Sequence, residues 1–359
     1  MTPHLLVGVG GVGTAAVGAA AGVLSSRGRT HEAPPLICLC MDTDRTSFLG
    51  LENTPATSFH LSTSEVEKLL ANPSEFPALR RHVPAGVRPL ERREGSGGVR
   101  AVARLAFLMH LSSLEDWFRP TLDNLAQGAE SLRLSVVASP GGATGGALLA
   151  EVGFLVRRLL ERDHPGVALV TEALVASFGR PSRPELNANA FAAWMELNHW
   201  LAVDTTYTPG LAETSWETDR PPFDQVAVFS GRDAADPSDR DAVAAQITAY
   251  LGLSLWPAYG PLFAEVSRRL EAGYDQVDDY GNPAVYFSPG SSSLALPFDE
   301  IRSALAARIL GKVVERWRDV LFRKPEQPDQ SSAPIDFLHR AGMATHAIVQ
   351  ALSESSGGA

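Results

Sequence analysis

Near its start the chain reads Leu5-Leu6-Val7-Gly8-Val9-Gly10-Gly11-Val12-Gly13, an apolar run that ends in a glycine-rich turn. A pattern rich in alanine and typical of a helix follows at residues 13–24. A glycine turn between a strand and a helix presents backbone N–H groups at the helix N-terminus, where the helix dipole adds about half a positive charge. This order predicts a turn that binds an anion at the carboxyl end of the first strand.

A second turn of the same kind reads Gly141-Gly142-Ala143-Thr144-Gly145-Gly146 and lies between a predicted strand and a predicted helix. The first turn alone, with Asp42 after the second strand, also fits a dinucleotide-binding domain. Such a domain needs one phosphate turn, so the second turn favours a polyphosphate that is held from two sides. A Walker P-loop is excluded because no lysine follows Gly146.

Apolar runs and helical patterns alternate through most of the chain, which is typical of an α/β fold. The expected architecture is a Rossmann-like parallel sheet with helices on both faces. The predicted strands are 5–9, 36–41, 132–138, 167–174 and 225–229, and the predicted helices are 13–24, 99–114, 147–160, 185–201, 239–255, 262–272, 298–322 and 335–352.

Composition limits the classes of partner. The formal net charge of −10 disfavours nucleic acid, because neutralising phosphates requires clustered lysine and arginine. Cys38 and Cys40 are the only cysteines and lie in an apolar run, where they fit small buried side chains better than a disulfide or a metal site. With no signal-peptide pattern and no apolar run of about 20 residues, we expect a cytoplasmic protein without a membrane partner.

The chain resembles the tubulin and FtsZ superfamily, and the resemblance covers about residues 5–200. Five elements occur in the family's order, and the closest similarity is to divergent bacterial tubulin-like proteins. They are the first turn at 8–13, Thr43-Asp44 after the second strand, the loop 95–98, the second turn at 141–146, and Glu185-Leu186-Asn187-Ala188-Asn189-Ala190-Phe191.

The resemblance implies a tubulin/FtsZ-type GTPase domain that binds GTP or GDP with Mg²⁺. It implies that Arg100 lies near the terminal phosphate, that Asp44, or else Asp42, lies beside the magnesium ion, that Glu185 binds the ribose, and that Asn189 or Asn187 approaches the ribose or base. The residues that would surround the phosphates are Gly10, Gly11, Gly13, Gly97, Gly98, Gly141, Gly142, Ala143, Thr144, Gly145 and Gly146.

Each charged residue also has an ordinary structural interpretation. Asp42 and Asp44 fit residues that end a strand and cap a turn. Glu185 is favourable in the first turn of a helix, and Arg100 fits a solvated side chain in the first turn of its own helix.

For hydrolysis, the resemblance implies an acidic loop that acts on the nucleotide of the next subunit in a head-to-tail filament. The corresponding stretch is Leu296-Pro297-Phe298-Asp299-Glu300, which retains Asp299 and Glu300 but lacks the family's asparagine and first aspartate. Both carboxylates also suit an ordinary helix start. No asparagine lies at 229–233, where the family reads guanine, so guanine specificity is implied by the family alone.

The resulting hypothesis is a GTP-binding protein that self-associates head to tail, with weak or assembly-dependent GTPase activity. The expected domains are a nucleotide-binding domain at 1–235, a core helix, acidic-loop region and long helix at 236–322, and a linker with a C-terminal helix and tail at 323–359. The family's second domain would be short or missing. The alternatives are an NAD-dependent oxidoreductase and a non-hydrolysing switch or scaffold whose nucleotide state a partner protein reads.

Overall fold

The computed structural model describes residues 2–27, 35–80, 82–83, 87, 95–179, 183–202, 205–209, 217–233, 236–255, 285–289 and 298–322. The chain divides into two compact units, Met1–Ser291 and Ser292–Ala359. The domain boundaries expected at 235 and 322 stay predictions.

The larger unit is built on a seven-stranded parallel sheet, which confirms the predicted α/β class. The spatial order is β3-β2-β1-β4-β5-β6-β7. The strands are β1 (His4–Val9), β2 (Leu36–Asp42), β3 (Thr57–His60), β4 (Ser131–Ala138), β5 (Ala168–Phe178), β6 (Gln225–Gly231) and β7 (Tyr286–Phe287).

Helices cover both faces of this sheet, as the nearly continuous apolar runs of a parallel sheet require. One core packs residues of α2, α4, α5 and α6, including Val66 and Leu155, and the other packs α1 against α8 through Val17 and Ile247. The helices of the larger unit are α1 (Gly10–Arg27), α2 (Ser64–Ala71), α3 (Pro77–Arg80), α4 (Arg100–Met109), α5 (Leu111–Ala126), α6 (Ala143–Asp163), α7 (Pro184–Leu201) and α8 (Pro237–Leu255), with 3₁₀ turns at Arg45–Leu51 and Pro73–Glu75.

The strand register brings the carboxyl ends of the central strands to one edge. Val9 of β1 pairs with Met41 of β2 on one side and with Ala138 of β4 on the other. The strand order reverses between β1 and β4, and ligands of open α/β sheets bind at such a switch point, beyond the carboxyl ends of the strands. Both glycine turns follow these two strands.

The structure corrects some element predictions. The single helix predicted at 99–114 is wrong, because α4 ends at Met109 and α5 begins at Leu111. His110 between them has φ −98° and ψ 9°, outside the helical region. The edge strand β3 was not predicted, since its sequence Thr-Ser-Phe-His lacks an apolar run. The helices predicted at 262–272 and 335–352 lie outside the described residues.

In the smaller unit the described residues form α9 (Phe298–Phe322), which confirms the helix predicted there. Among the described helices of both units, none combines the length and the apolar character that a membrane span requires.

We predict that Gly13→Ala destabilises the fold by about 3 kcal/mol, because the added Cβ would lie 2.2 Å from the Val137 carbonyl oxygen of β4. Gly22→Ala is the matched control in the same helix, where a Cβ meets nothing within 4 Å. There alanine should stabilise by about 0.5–1 kcal/mol. Urea denaturation followed by circular dichroism measures both changes, and equal midpoints for the two variants would contradict the prediction.

Candidate functional site

The two glycine turns touch through their backbones. A Cβ on Gly10 would lie 2.8 Å from the Gly145 nitrogen, and a Cβ on Gly145 would lie 2.8 Å from the Ser139 oxygen and 3.1 Å from the Val9 oxygen. Gly10 also has φ +74°, in the left-handed region that favours glycine. Glycine at these positions therefore lets the N-termini of α1 and α6 lie side by side.

A cleft of about 1340 Å³ opens over this contact, and most of the predicted site residues line it. Its volume exceeds the ~300–1,000 Å³ of ordinary small-molecule pockets, so a nucleotide fits within it. The predicted residues on its wall are Gly10, Gly11, Asp44, Gly97, Gly98, Gly142, Ala143, Thr144, Gly145, Glu185 and Asn189.

Three predicted glycines serve packing and are not among the residues that line the described part of the cleft. Added Cβ atoms would lie 2.2 Å from the Val137 oxygen at Gly13, 2.3 Å from the Pro140 oxygen at Gly146, and 3.2 Å from the Leu186 oxygen at Gly141. These glycines let helices and turns approach each other, and their predicted contact with phosphate stays untested.

Arg100 lies behind the cleft wall and connects three helices. Its Nη2 donates to the Gly146 carbonyl at 2.8 Å and also pairs with Glu196 of α7. The side chain is only 13% exposed. A contact with a terminal phosphate stays a prediction.

Asp42 and Asp44 organise the loop after β2. Asp42 is buried, and its Oδ1 accepts hydrogen bonds from the N–H groups of Thr43 at 2.7 Å and Asp44 at 3.3 Å. Its Oδ2 accepts from the Ser47 hydroxyl. Burial raises the pKa of the Asp42 carboxyl, although the Ser47 hydrogen bond acts in the opposite direction.

Asp44 caps the 3₁₀ turn and also faces the cleft. Its Oδ1 accepts from the Thr46 nitrogen at 2.9 Å and from the Thr46 hydroxyl at 2.8 Å. Between described residues only this oxygen of Asp44 is used in hydrogen bonds, which leaves Oδ2 for a cation or its waters. Among the described residues no cluster of three or more histidine, cysteine or acidic side chains could hold a metal ion unaided.

Asn189 and Glu185 project from the first turns of α7. The Asn189 amide donates to the Gly98 carbonyl at 3.1 Å and to the Gly141 carbonyl at 3.3 Å, so it connects the loop before α4 with the second glycine turn. Glu185 is exposed, and its carboxylate lies 3.5 Å from the Arg183 guanidinium. Both residues stay candidates for contacts with a sugar or base.

Three helix N-termini supply the cleft with donors for an anion. The N-cap residues of α4, α6 and α7 are Val99, Gly142 and Arg183, and none of them caps its helix with a side-chain hydrogen bond. All three line the cleft, so the N–H groups of these first turns and their helix dipoles are directed towards its interior. The arrangement can bind several phosphate oxygens through backbone donors.

Several residues of the wall were not predicted as site residues from the sequence. Arg240 on α8 and Arg183 line the cleft, as do Thr14, Thr43, Ser47 and Ser96. Thr43 belongs to the Thr43-Asp44 pair after the second strand, but its contact is with Thr144, 101 positions later in the sequence. The two hydroxyl oxygens are 2.8 Å apart. No local pattern identifies such pairs.

The predicted catalytic residues lie in the other unit. Asp299 and Glu300 belong to the first turn of α9, and their side chains fall outside the described part of the chain. Their catalytic role stays a prediction.

We predict that Asp42→Asn changes how stability depends on pH. A buried carboxyl with a raised pKa binds its proton more tightly in the folded state, so its ionisation opposes folding as pH rises through that pKa. The stability of the wild type relative to Asp42→Asn should therefore fall as the pH rises above about 4, the ordinary pKa of an unfolded aspartate. Asparagine retains one acceptor oxygen, and Ser47 can accept from its NH₂ group. The difference in thermal midpoint between the wild type and Asp42→Asn, measured across this pH range, tests the prediction. A wild-type advantage that stays constant or grows with pH would contradict it.

Comparison with known proteins supports one family. A family model described as tubulin-like matches residues 5–315. No curated protein sequence matches the chain.

Several solved structures show weak overall similarity. CetZ2 of Haloferax volcanii, described as a GTPγS-bound protofilament, is 16% identical, with 71% of this chain and 58% of that chain covered and a TM-score of 0.45. TubZ of Clostridium botulinum phage c-st is 10% identical, with coverage of 70% and 58% and a TM-score of 0.40. A GTPγS-form protofilament of Bacillus thuringiensis serovar israelensis TubZ is 14% identical, with coverage of 71% and 57% and a TM-score of 0.39.

This chain spans less than two thirds of the length of each of these three proteins. The family assignment depends on the family model, which extends over most of the sequence. Because that match runs from residue 5 to residue 315, the chain belongs to the tubulin-like family.

Proposed function

We propose that the chain binds GTP or GDP, together with Mg²⁺, in the cleft above the two glycine turns. The observation that carries the proposal is the backbone contact between Gly10 and Gly145 at the point where the strand order reverses. Membership of the tubulin-like family supports a guanine nucleotide as the ligand.

The phosphates would be held mainly by backbone donors. Helix α6 begins at Ala143, its N-cap is Gly142, and its first intrahelical acceptor, the Gly142 carbonyl, receives the Gly146 N–H at 2.9 Å. The N–H groups of Ala143, Thr144 and Gly145 precede that bond and are available to an anion. Helix α1, which begins at Gly10, offers its first turn from the other side.

Neither glycine turn contains a lysine or arginine, so helix dipoles and a cation bound with the nucleotide would balance the phosphate charge. Mg²⁺ commonly binds through phosphates, waters and one or two carboxylates, which agrees with a wall that offers Asp44. When bound, the ion would neutralise charge on the phosphates. Glu185 and Asn189 would contact the sugar or base, with Arg183 and Arg240 along the same wall.

We expect denatured, purified protein to release GTP or GDP, identified by chromatography. The emptied chain should then bind GTP in preference to ATP and NAD, and removal of Mg²⁺ should weaken GTP binding by about tenfold or more. Isothermal titration with each ligand, with and without Mg²⁺, measures these affinities. NAD binding without GTP binding would contradict the proposal and support the dinucleotide alternative.

The proposal includes head-to-tail self-association, with hydrolysis completed by Asp299 and Glu300 of a neighbouring copy. A head-to-tail contact uses different surfaces on the two copies and produces open filaments unless rotation closes a ring. Family membership supports this part of the proposal. An isolated chain would then turn over GTP slowly, because the groups that position water would be missing.

If so, GTP turnover per chain should rise with protein concentration, in parallel with sedimentation of polymer. Asp299→Asn combined with Glu300→Gln should lower turnover at high concentration by about tenfold or more while GTP affinity stays unchanged. Glu315→Gln, an exposed carboxylate on the same helix, is the matched control. Tight GTP binding with neither turnover nor polymer would contradict this part and favour the switch or scaffold.

A further inference from the structure

Three buried groups from three separate segments form a chain of hydrogen bonds beneath the cleft. The Ser96 N–H donates to the Thr43 hydroxyl oxygen at 3.1 Å, and that oxygen lies 2.8 Å from the Thr144 hydroxyl oxygen. Ser96, Thr43 and Thr144 are 5%, 2% and 5% exposed. The chain joins the loop before α4, the loop after β2 and the first turn of α6.

If Thr144 binds an anion, each group in this series of hydrogen bonds donates towards the anion. A threonine hydroxyl carries one hydrogen and two acceptor lone pairs. The Thr43 oxygen already accepts from Ser96, and its own hydrogen can be donated to Thr144. Thr144 also hydrogen-bonds to the Asp42 carboxyl, so a phosphate oxygen would receive the Thr144 hydrogen in place of that carboxyl. Donors aligned in this way strengthen one another.

We propose that Thr43 is a positioning residue that relays phosphate binding at Thr144 to the loop 95–98. The relay rests on the proposed nucleotide site and goes beyond it by naming how one loop responds to the ligand. An anion on Thr144 polarises both hydroxyls and tightens the bond to the Ser96 amide. Because binding coupling is reciprocal, an ordered loop increases affinity for the anion by the same factor.

Hydrogen bonds from several segments hold the loop 95–98, among them one from the Thr63 hydroxyl to the Gly95 carbonyl at 3.4 Å. Gly95, Gly97 and Gly98 have φ values of +67°, +58° and +85°, in the left-handed region that favours glycine. Asn189 ties the Gly98 carbonyl to Gly141 of the second turn, at the other end of the loop. The hydrogen bonds through Thr43 differ from the others because they connect the loop to Thr144, whose hydroxyl lies at the proposed phosphate site.

The test compares Thr43→Val, which removes the hydroxyl but keeps the shape, with Thr43→Ser, which restores it. Thr54→Val is the matched control, because Thr54 lines the same cleft and its hydroxyl donates only locally, to the Leu51 carbonyl at 3.0 Å. Thr144→Val removes the hydroxyl nearest the ligand and leaves the hydrogen bond between Thr43 and the Ser96 N–H in place. The readouts are amide hydrogen exchange at Ser96, with and without GTP, and GTP affinity.

In the nucleotide-free chain, Thr43→Val should speed Ser96 exchange by about tenfold, and Thr43→Ser and Thr54→Val should resemble the wild type. GTP affinity should fall about tenfold in Thr43→Val and in Thr144→Val, and the double variant should lose little more than either single variant. In Thr144→Val, GTP should no longer slow Ser96 exchange.

The relay is overturned by unchanged Ser96 exchange in Thr43→Val, by failure of Thr43→Ser to restore it, or by independent losses of affinity in the double variant. A wild-type chain that binds no GTP defeats the proposed function. In that case exchange in the nucleotide-free variants still decides whether Thr43 holds Ser96, so the two failures are distinguishable.

Discussion

The structure around the cleft depends on a backbone contact between two glycines that leaves no space for a side chain at either position. The backbone of Gly10 lies against the nitrogen of Gly145, and Gly145 lies against the carbonyl oxygens of Val9, at the end of β1, and of Ser139, which follows β4. Any larger side chain at either position would separate the N-termini of α1 and α6. Since both helices start at the sheet's switch point, this one close approach sets the floor of the cleft, the direction of its N–H donors and the distance between its two walls.

Around that floor, hydrogen bonds between distant segments give the cleft its shape. Thr43 connects β2 to α6, Asn189 connects α7 to the second glycine turn, and Arg100 joins α4 to the Gly146 carbonyl and to Glu196. Every one of these ties ends on or beside the second turn. Binding at that turn would therefore affect three other segments, the loop after β2, α4 and α7, which is the physical basis for treating the cleft as one unit.

Much of the fold could be predicted because its signals are local. The apolar runs of β1 and β4 and the glycine turns after them lie within short windows, and parallel strands then bring the turns together at one edge. The break at His110 and the polar edge strand β3 have no comparable signal. The site residues also divide into those with a local sequence signal and those without one. The cleft walls at Gly10, Thr144 and Asn189 were predicted by resemblance, whereas the ion pair of Arg100 with Glu196 joins positions 96 apart and is set by tertiary packing.

The strand order also has a consequence for synthesis of the chain. Strand β1 lies inside the sheet and is made before its neighbour β4, and His4 pairs with Arg133 of β4. The apolar side chains of β1 therefore lack one neighbouring strand until β4 has been made. Pairings between such distant residues form slowly and leave nascent chains prone to aggregation, so chaperone capture of the segment that holds β1 would protect the yield of folded protein.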